Sequence, residues 1–226
     1  MGYIGEWLPK TNIKGLWHLN SSAVDASGNG NNLTLGGSPS YANGAIAQGL
    51  DLETSSSQYA KATDSASLSI TGNITILASL VMESAGGDRA IVTKDYPAGG
   101  QRSFAFMKSG ADKMYFYYFG AGGITQIDVT SATIPVGVKT RVGISVDVAT
   151  KVGTFYINGD PVASSNSSSL GNAIVDSTAE LVIGARQSAT YDSFWDGVID
   201  EVVVLAQTMT AAEHKKWDAW AAGKYV

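Results

Sequence analysis

Short segments in which apolar and polar residues alternate recur along the chain and predict β-strands. The clearest covers residues 141–148, with valine or isoleucine at every second position and Arg, Gly, Ser or Asp between them. This alternation predicts a strand with one solvated face. Residues 74–82 are largely apolar on both faces, which predicts a strand that lies centrally between two layers.

Turn signals separate these segments. Asn158 and Gly159 follow the segment 154–157, and this pair accepts the positive φ angles of a tight type I′ hairpin turn. Residues 113–119 (KMYFYYF) and 181–183 predict further strands. Many short strands joined by Gly-rich turns predict an all-β fold, an antiparallel two-sheet β-sandwich or jelly roll.

One helix is predicted, close to the C-terminal end of the sequence. Thr210 and Glu213 have the spacing of a capping box, in which the hydroxyl accepts from a backbone amide and the carboxylate reaches back. Trp217 and Trp220 follow on one helical stripe and are expected to dock the helix on the sandwich, and Gly223 is expected to end it.

Composition and net charge exclude several classes of function. A chain of 226 residues is long enough for one large sandwich with a sizeable core. Its net charge of −5 predicts no basic surface for nucleic acid or an anionic membrane. Cysteine is absent, so disulfides and thiol chemistry are excluded. No signal peptide and no apolar stretch of about 18 residues is visible.

Three motifs occur in a fixed order. The first is a D-x-S-G-N-G-N loop, the second a segment that begins Y-x-x-G, and the third a G-x-I-D-E-V strand that leads into the predicted helix. The matching residues are Asp25, Ser27, Gly28, Asn29, Gly30, Asn31, Tyr41, Gly44, Leu50, Leu52, Trp195, Gly197, Ile199, Asp200, Glu201, Val202, Met209, Thr210 and Glu213. Together they resemble the laminin G-like (LamG) branch of the concanavalin A-like lectin/glucanase superfamily.

The resemblance covers roughly residues 13–220 and implies a concanavalin A-like jelly roll. We therefore expect one LamG-like domain over residues 13–226, preceded by an N-terminal arm over residues 1–12. Members of the family include sugar binders, adhesion modules and virion proteins. The resemblance thus implies a recognition or adhesion role more directly than it implies a particular ligand.

Enzymatic activity is not expected. The glucanases of the superfamily use two glutamates on one strand, whereas Asp200 and Glu201 are adjacent here and simple alternation would direct them to opposite faces. His18 and His214 are the two histidines, and His18 lies in an apolar segment typical of a core or rim residue. Glycoside hydrolysis remains a remote alternative.

Calcium is the metal that the sequence favours, in a structural role. Asp25 opens a loop that also contains Asn29, Asn31 and Asn32, and such oxygen-rich loops suit calcium. The same residue types also form turns without an ion. The resemblance implies that an acid of the last strand, Asp200, completes the site with Asp25 and Asn31.

A sugar site needs an aromatic platform and a few polar groups for hydroxyls. Residues 186–196 offer Arg186, Tyr191, Asp192 and Phe194, whereas Trp195 is expected to be buried. A second loop, residues 86–101, could bring Tyr96 to the same rim.

Two function classes follow from these observations. The first is a non-catalytic module that binds a glycan or a cell-surface receptor through rim loops, displayed on a virion or elsewhere outside the cell. The second is a purely structural virion protein, a decoration or fibre component. In both, the apolar Tyr3, Trp7 and Leu8 of the arm are expected to mediate homo-oligomerisation or attachment to a larger assembly. The alternative is an arm that folds back on its own sandwich.

Overall fold

A computed structural model describes residues 10–129, 131–166 and 173–223. These residues form eighteen β-strands and one α-helix, with most strands in two antiparallel sheets. The predicted all-β sandwich with a C-terminal helix is confirmed. Within the described ranges, no helix is long and apolar enough to span a membrane.

The first sheet contains eight strands, which are β1 (Ile13–Trp17), β3 (Ser40–Asn43), β4 (Gln48–Leu52), β6 (Ile74–Met82), β11 (Thr140–Asp147), β12 (Val152–Ile157), β13 (Asp160–Val162) and β18 (Gly197–Leu205). Strand β18 lies near its centre, between β6 and β4, and β1 also pairs with β18. Pro161 falls on the edge strand β13, where its missing N–H breaks no central ladder.

The second sheet also contains eight strands, in the order β14, β10, β9, β8, β7, β15, β5, β2. These strands are β2 (Thr34–Gly36), β5 (Tyr59–Ala62), β7 (Arg89–Tyr96), β8 (Gln101–Lys108), β9 (Met114–Gly120), β10 (Gly123–Val129), β14 (Ser164–Asn166) and β15 (Leu181–Ile183). A separate hairpin joins β16 (Arg186–Gln187) to β17 (Tyr191–Asp192).

The main core lies between the two sheets and consists mainly of aliphatic and aromatic side chains. Trp17, Phe104, Phe155 and Trp195 are all inaccessible to solvent there. Strand β6 is buried on both faces between β11 and β18, as its sequence predicts. The Asn158-Gly159 turn is also confirmed, since both residues have positive φ angles and connect β12 to β13.

Helix α1 (Ala211–Ala221) covers the outer face of the first sheet. Its N-terminus has the predicted capping box of Thr210 and Glu213. Trp217 and Trp220 pack in a second apolar cluster with Leu77 of β6 and Val203 of β18. The outward face of the first sheet is therefore largely occupied.

This helix corrects the expectation of a solvated face on β11. A Cβ at Gly143 would meet the ring of His214 at 2.9 Å, and the side chain of Ser145 contacts His214 Nε2 at 3.0 Å. The polar positions of β11 thus contact helix α1. Sequence alternation shows which face is less apolar and does not show what covers it.

The start of the described chain is tied to the first sheet. Lys10–Asn12 forms a 3-10 turn, and the Ala206 amide donates to the Asn12 carbonyl over 2.9 Å. Asn12 Nδ2 also donates to Gln207 Oε1 over 2.6 Å. The predicted contacts of Tyr3, Trp7 and Leu8 lie outside the described residues, so the arm stays a prediction.

Candidate functional site

Asp25 organises the first motif loop as a hydrogen-bond acceptor. Its Oδ1 accepts from the amides of Leu16 and Ser27 over 3.1 and 2.8 Å. Its Oδ2 accepts from the Ser27 hydroxyl over 2.8 Å and from the Asn31 amide over 2.9 Å. Asn31 in turn donates its side-chain amide to the Lys14 carbonyl over 2.8 Å. These bonds fix the loop against β1.

Asp200 anchors a different turn. Its Oδ2 accepts from the amides of Ala45 and Ile46 over 2.7 and 3.0 Å, and its Oδ1 accepts from the Glu201 amide over 2.8 Å. Burial, together with the charge of Glu201, raises the pKa of Asp200 to about 7. Gly44 is required beside it, because a Cβ there would meet Asp200 Oδ2 at 2.6 Å.

The predicted calcium ligands therefore have protein partners already. Asp25 and Asp200 accept from N–H and O–H groups of two different segments, and these bonds account for both carboxylates. Among the described residues, three acids bring carboxylate oxygens within 4.8 Å of one another, and these are Asp51, Glu53 and Glu83. Calcium at Asp25, Asn31 and Asp200 stays a prediction.

The local backbone corrects the expected placement of Asp200 and Glu201. Strand β18 has a register shift between Asp200 and Val203, and Glu201 has a left-handed φ of 49°, so simple alternation does not apply to this pair. Glu201 Oε2 pairs with His18 Nδ1 at 2.7 Å. Both acids are 1% exposed.

The hairpin and the residues just after it bring four of the five predicted sugar-site residues into two contacts. In the first, Arg186 Nε and Nη2 donate to the two carboxylate oxygens of Asp192 over 3.0 and 3.1 Å. Burial opposes the charge of Arg186, but hydrogen bonds to Asp192 and Tyr117 outweigh burial and raise its pKa. This fork-shaped pair bridges β16 and β17.

The second contact is aromatic. Tyr191 stacks on Tyr59 of β5 with ring centroids 4.0 Å apart, and Phe194 lies 6.4 Å from the same ring. Tyr191 donates its hydroxyl to Glu180, and Lys61 Nζ donates to Glu180 Oε1 over 2.8 Å. All three rings are half-buried. Tyr59, which the sequence analysis did not predict, thus connects Tyr191 with Phe194.

Tyr96, the fifth predicted residue, lies at the end of β7 and pairs with Gln101 of β8. Its ring covers Gly99 of the following 3-10 turn, where a Cβ would collide with the ring. Trp195 is fully buried in the core, as predicted.

The outer face of the second sheet carries a row of aromatic rings that we call the aromatic face, defined by Tyr115, Tyr117 and Phe119 of β9. The alternate residues of β9, including Phe116 and Tyr118, point into the main core. The rings of Tyr115 and Tyr117 lie 6.3 Å apart at an interplanar angle of 24°, and Tyr117 meets Phe119 edge-on at 5.9 Å. Tyr115 and Phe119 are half-buried, and Tyr117 between them is buried.

Polar groups border these rings on both sides. Arg102 of β8 forks onto Asp95 over 2.8 and 3.1 Å, and its guanidinium lies 3.9 Å from the Phe119 ring centroid. The Tyr117 hydroxyl donates to Asp95 Oδ2 over 2.6 Å. Burial and the charge of Asp95 raise the pKa of Tyr117 to about 12, so its hydroxyl remains a donor at neutral pH.

The hairpin forms one wall of the aromatic face. The chain turns out of the second sheet at Gly184, which has a positive φ, and β16 then packs against β7. The Thr93 hydroxyl of β7 holds the Ala185 carbonyl over 2.9 Å. Arg186 consequently lies beside Tyr117, and its contact with that hydroxyl links the wall to the rings.

Sequence reasoning missed the aromatic face because residues 113–119 are aromatic on both faces. The tyrosines of one parity fill the core and those of the other parity face outward, and no local signal in KMYFYYF separates the two. Small Ala105, paired with Tyr117 across the ladder, leaves the rings room on that side.

Comparison with solved structures gives the same fold at low sequence identity. The binding domain of Paraclostridial Mosquitocidal Protein 1 superimposes with a TM-score of 0.73 and 14% identity, over 93% of this chain and 52% of that one. The receptor binding domain of botulinum neurotoxin type G gives a TM-score of 0.65 and 12% identity, over 92% and 51%. This chain thus spans about half the length of those toxin domains.

A domain of comparable size matches over nearly its whole length. Domain 4 of AbnA, a GH43 extracellular arabinanase from Geobacillus stearothermophilus solved in complex with arabinotriose, has a TM-score of 0.70 and 18% identity, over 91% of this chain and 97% of that one. No curated protein sequence matches the chain. A laminin G family model of the concanavalin A-like lectin/glucanases superfamily matches residues 54–213. The chain therefore belongs to this laminin G-like family of the concanavalin A-like superfamily.

Proposed function

We propose that the protein is a non-catalytic recognition module that binds a glycan on the aromatic face, with the hairpin as one wall of the site. The observation that carries this proposal is the contrast between the two outer faces. Helix α1 packs on the first sheet, whereas the second sheet presents the half-buried rings of Tyr115 and Phe119 on either side of buried Tyr117, among fixed polar groups. Rings of this kind stack on the apolar face of a sugar, and carboxylates and amides bind its hydroxyls.

The comparisons add support of a general kind. The toxin domains are named as binding domains, and the arabinanase domain was solved with arabinotriose. All are less than 25% identical to this chain, so their ligands do not transfer to it. A receptor protein on a cell surface is the alternative occupant of the same face.

A glycan array followed by calorimetric titration of the strongest ligand tests the proposal. Tyr115→Ala and Phe119→Ala are each expected to weaken binding about tenfold, equivalent to about 1.4 kcal/mol. Phe194→Ala reports whether the hairpin cluster, the location predicted from sequence, also contacts the ligand. Val152→Ala, a half-exposed residue on the other sheet, is the control and should bind normally. Full affinity in both β9 variants would refute the assignment of the site.

We also propose that the module does not hydrolyse polysaccharides. The acid pair nearest to a glucanase pattern, Asp200 and Glu201, is buried and is bonded to backbone amides and His18. A paired-carboxylate mechanism requires both groups at the sugar, about 5 to 10 Å apart. Incubation with polysaccharides should release no reducing sugar. Release that disappears in Glu201→Gln would contradict this prediction.

A further inference from the structure

The guanidiniums that border the aromatic face are already held by carboxylates. Arg102 directs two N–H groups at Asp95 and lies over the Phe119 ring. Arg186 directs two N–H groups at Asp192. A ligand anion that approached either arginine would therefore meet a carboxylate at the same position.

Two further carboxylates, those of Asp88 and Asp128, lie near Tyr115. Their hydrogen bonds described below are to amide groups and not to an arginine. Asp128 of β10 is directly opposite Tyr115 in the ladder, and its Oδ1 accepts from Gln126 Nε2 over 2.9 Å. Asp88 is exposed, and its Oδ1 accepts from the Gly110 amide over 2.9 Å. Burial and then the charge of Asp88 raise the pKa of Tyr115, with Asp128 acting in the same direction and Arg186 opposing both.

Fixed carboxylates have opposite effects on the two main chemical classes of glycan. A neutral sugar presents hydroxyl donors, and a hydroxyl bound to an ionised carboxylate makes a strong, charge-assisted hydrogen bond. Sialic acid, a uronic acid or a sulfated sugar is itself an anion. The fixed carboxylates would repel it, and it could bind an arginine only by displacing the carboxylate already paired with that arginine. The carboxylates therefore favour the binding of neutral glycans and disfavour the binding of acidic ones.

We propose that the aromatic face takes neutral glycans and rejects glycans that carry carboxylate or sulfate groups. This inference rests on the proposed glycan-binding function and adds the chemical class of the ligand. Asp88 and Asp128 are the groups that set the selectivity. Asp128 lies opposite Tyr115, and among the described residues the arginines form ion pairs with other carboxylates.

Matched pairs of glycans that differ by one acidic group provide the test. The wild-type protein is expected to bind the neutral member at least about tenfold more tightly, and its affinity should change by less than about twofold between low and high salt. The double variant Asp88→Asn/Asp128→Asn should lose most of this discrimination. Asp160→Asn, an exposed carboxylate on β13, is the control and should retain it.

The outcomes separate the two proposals. Binding of glycans with equal or stronger affinity for the acidic member would overturn the inference and leave the glycan-binding function standing. Discrimination that persists in the double variant, with an unchanged melting temperature, would also overturn the role of Asp88 and Asp128. Absence of binding to any glycan on the array would overturn both proposals.

Discussion

At the scale of single residues, Asp25 and Asp200, the acids of the sequence motifs, serve as hydrogen-bond acceptors for backbone amides. Asp25 accepts four hydrogen bonds and Asp200 accepts three, and each holds one loop against a strand of the first sheet. Burying a carboxylate is costly unless its lone pairs are satisfied, so such acids appear where the chain must turn tightly.

Replacement of Asp25 tests this role and the calcium prediction together. Asp25→Ala leaves the amides of Leu16, Ser27 and Asn31 without their acceptor, which should lower the free energy of unfolding by about 2 to 4 kcal/mol. If calcium binds here as well, EDTA should lower the melting temperature of the wild type and not of the variant. Equal curves with and without EDTA, and no metal in elemental analysis, would exclude the calcium site.

The raised pKa of Asp200 predicts a pH dependence with a definite sign. Between its ordinary pKa near 4 and its folded value of about 7, the unfolded chain loses the proton that the folded protein keeps. Its contribution to stability therefore falls as pH rises through this window, by up to about 4 kcal/mol, and stays low above it. The stability of Asp200→Asn relative to wild type should rise between pH 4 and pH 8, measured by denaturant unfolding. A constant difference would contradict the assignment.

At the scale of elements, helix α1 acts as a cover for one sheet and not as an independent unit. Its packing surface is formed by Trp217, Trp220 and the buried His214, while much of its other side is exposed. The Tyr156 ring stacks on His214 at 3.5 Å, which extends the contact to β12. The helix gains its stability from this docking, as expected for a helix of three turns.

Removal of one indole measures the strength of this docking. Trp217 is 1% exposed, and Trp217→Ala should lower the free energy of unfolding by about 3 to 5 kcal/mol through lost burial and the cavity left behind. Val24→Ala, at a residue that is 60% exposed, should change it by less than about 0.5 kcal/mol. A small loss in Trp217→Ala would mean that the helix is dispensable for the sandwich.

Structural features that depend on residues close together in sequence could be predicted. The boundaries of β6, the Asn158-Gly159 turn and the capping box of α1 all follow from residues within a few positions of one another. The sequence segment 186–194 was selected correctly as a cluster, since Arg186 pairs with Asp192 and Tyr191 lies near Phe194, but whether these residues contact a ligand stays a prediction. Tyr59 was not predicted, because it is distant from Tyr191 in sequence and reaches it only through the order of strands in the sheet. The bulge at Glu201 likewise has no signature in the sequence.

At the scale of the whole molecule, β18 ties the two ends of the chain together. Strand β6 pairs with β18 along one edge, and the other edge pairs with β4 at residues 197–199 and with β1 at residues 202–205. The first and last strands therefore meet in one sheet. Such non-local pairing makes the sandwich cooperative, and Asn12 extends the connection to the first described turn.

The last prediction concerns the N-terminal arm, residues 1–12. It also tests the proposal that the protein works on a virion surface or elsewhere outside the cell. Removing residues 2–9 should leave the melting temperature nearly unchanged and abolish oligomerisation or incorporation into a native particle, as measured by light scattering and electron microscopy. Removing residues 2–12 should also lower stability, because Asn12 bonds to Ala206 and Gln207. A large loss of stability with assembly intact in the shorter truncation would show that the arm belongs to the fold.

The loop that joins β16 to β17 gives the molecule a place where the chain can lengthen without disturbing the sheets. In the described part of the chain, β16 and β17 pair with each other and with no strand of either sheet. Insertions between Gln187 and Tyr191 would therefore break no ladder of the sandwich, while they would lengthen the wall beside the aromatic rings. This segment is the natural position for a randomised library, in which new specificities could be selected on an unchanged scaffold.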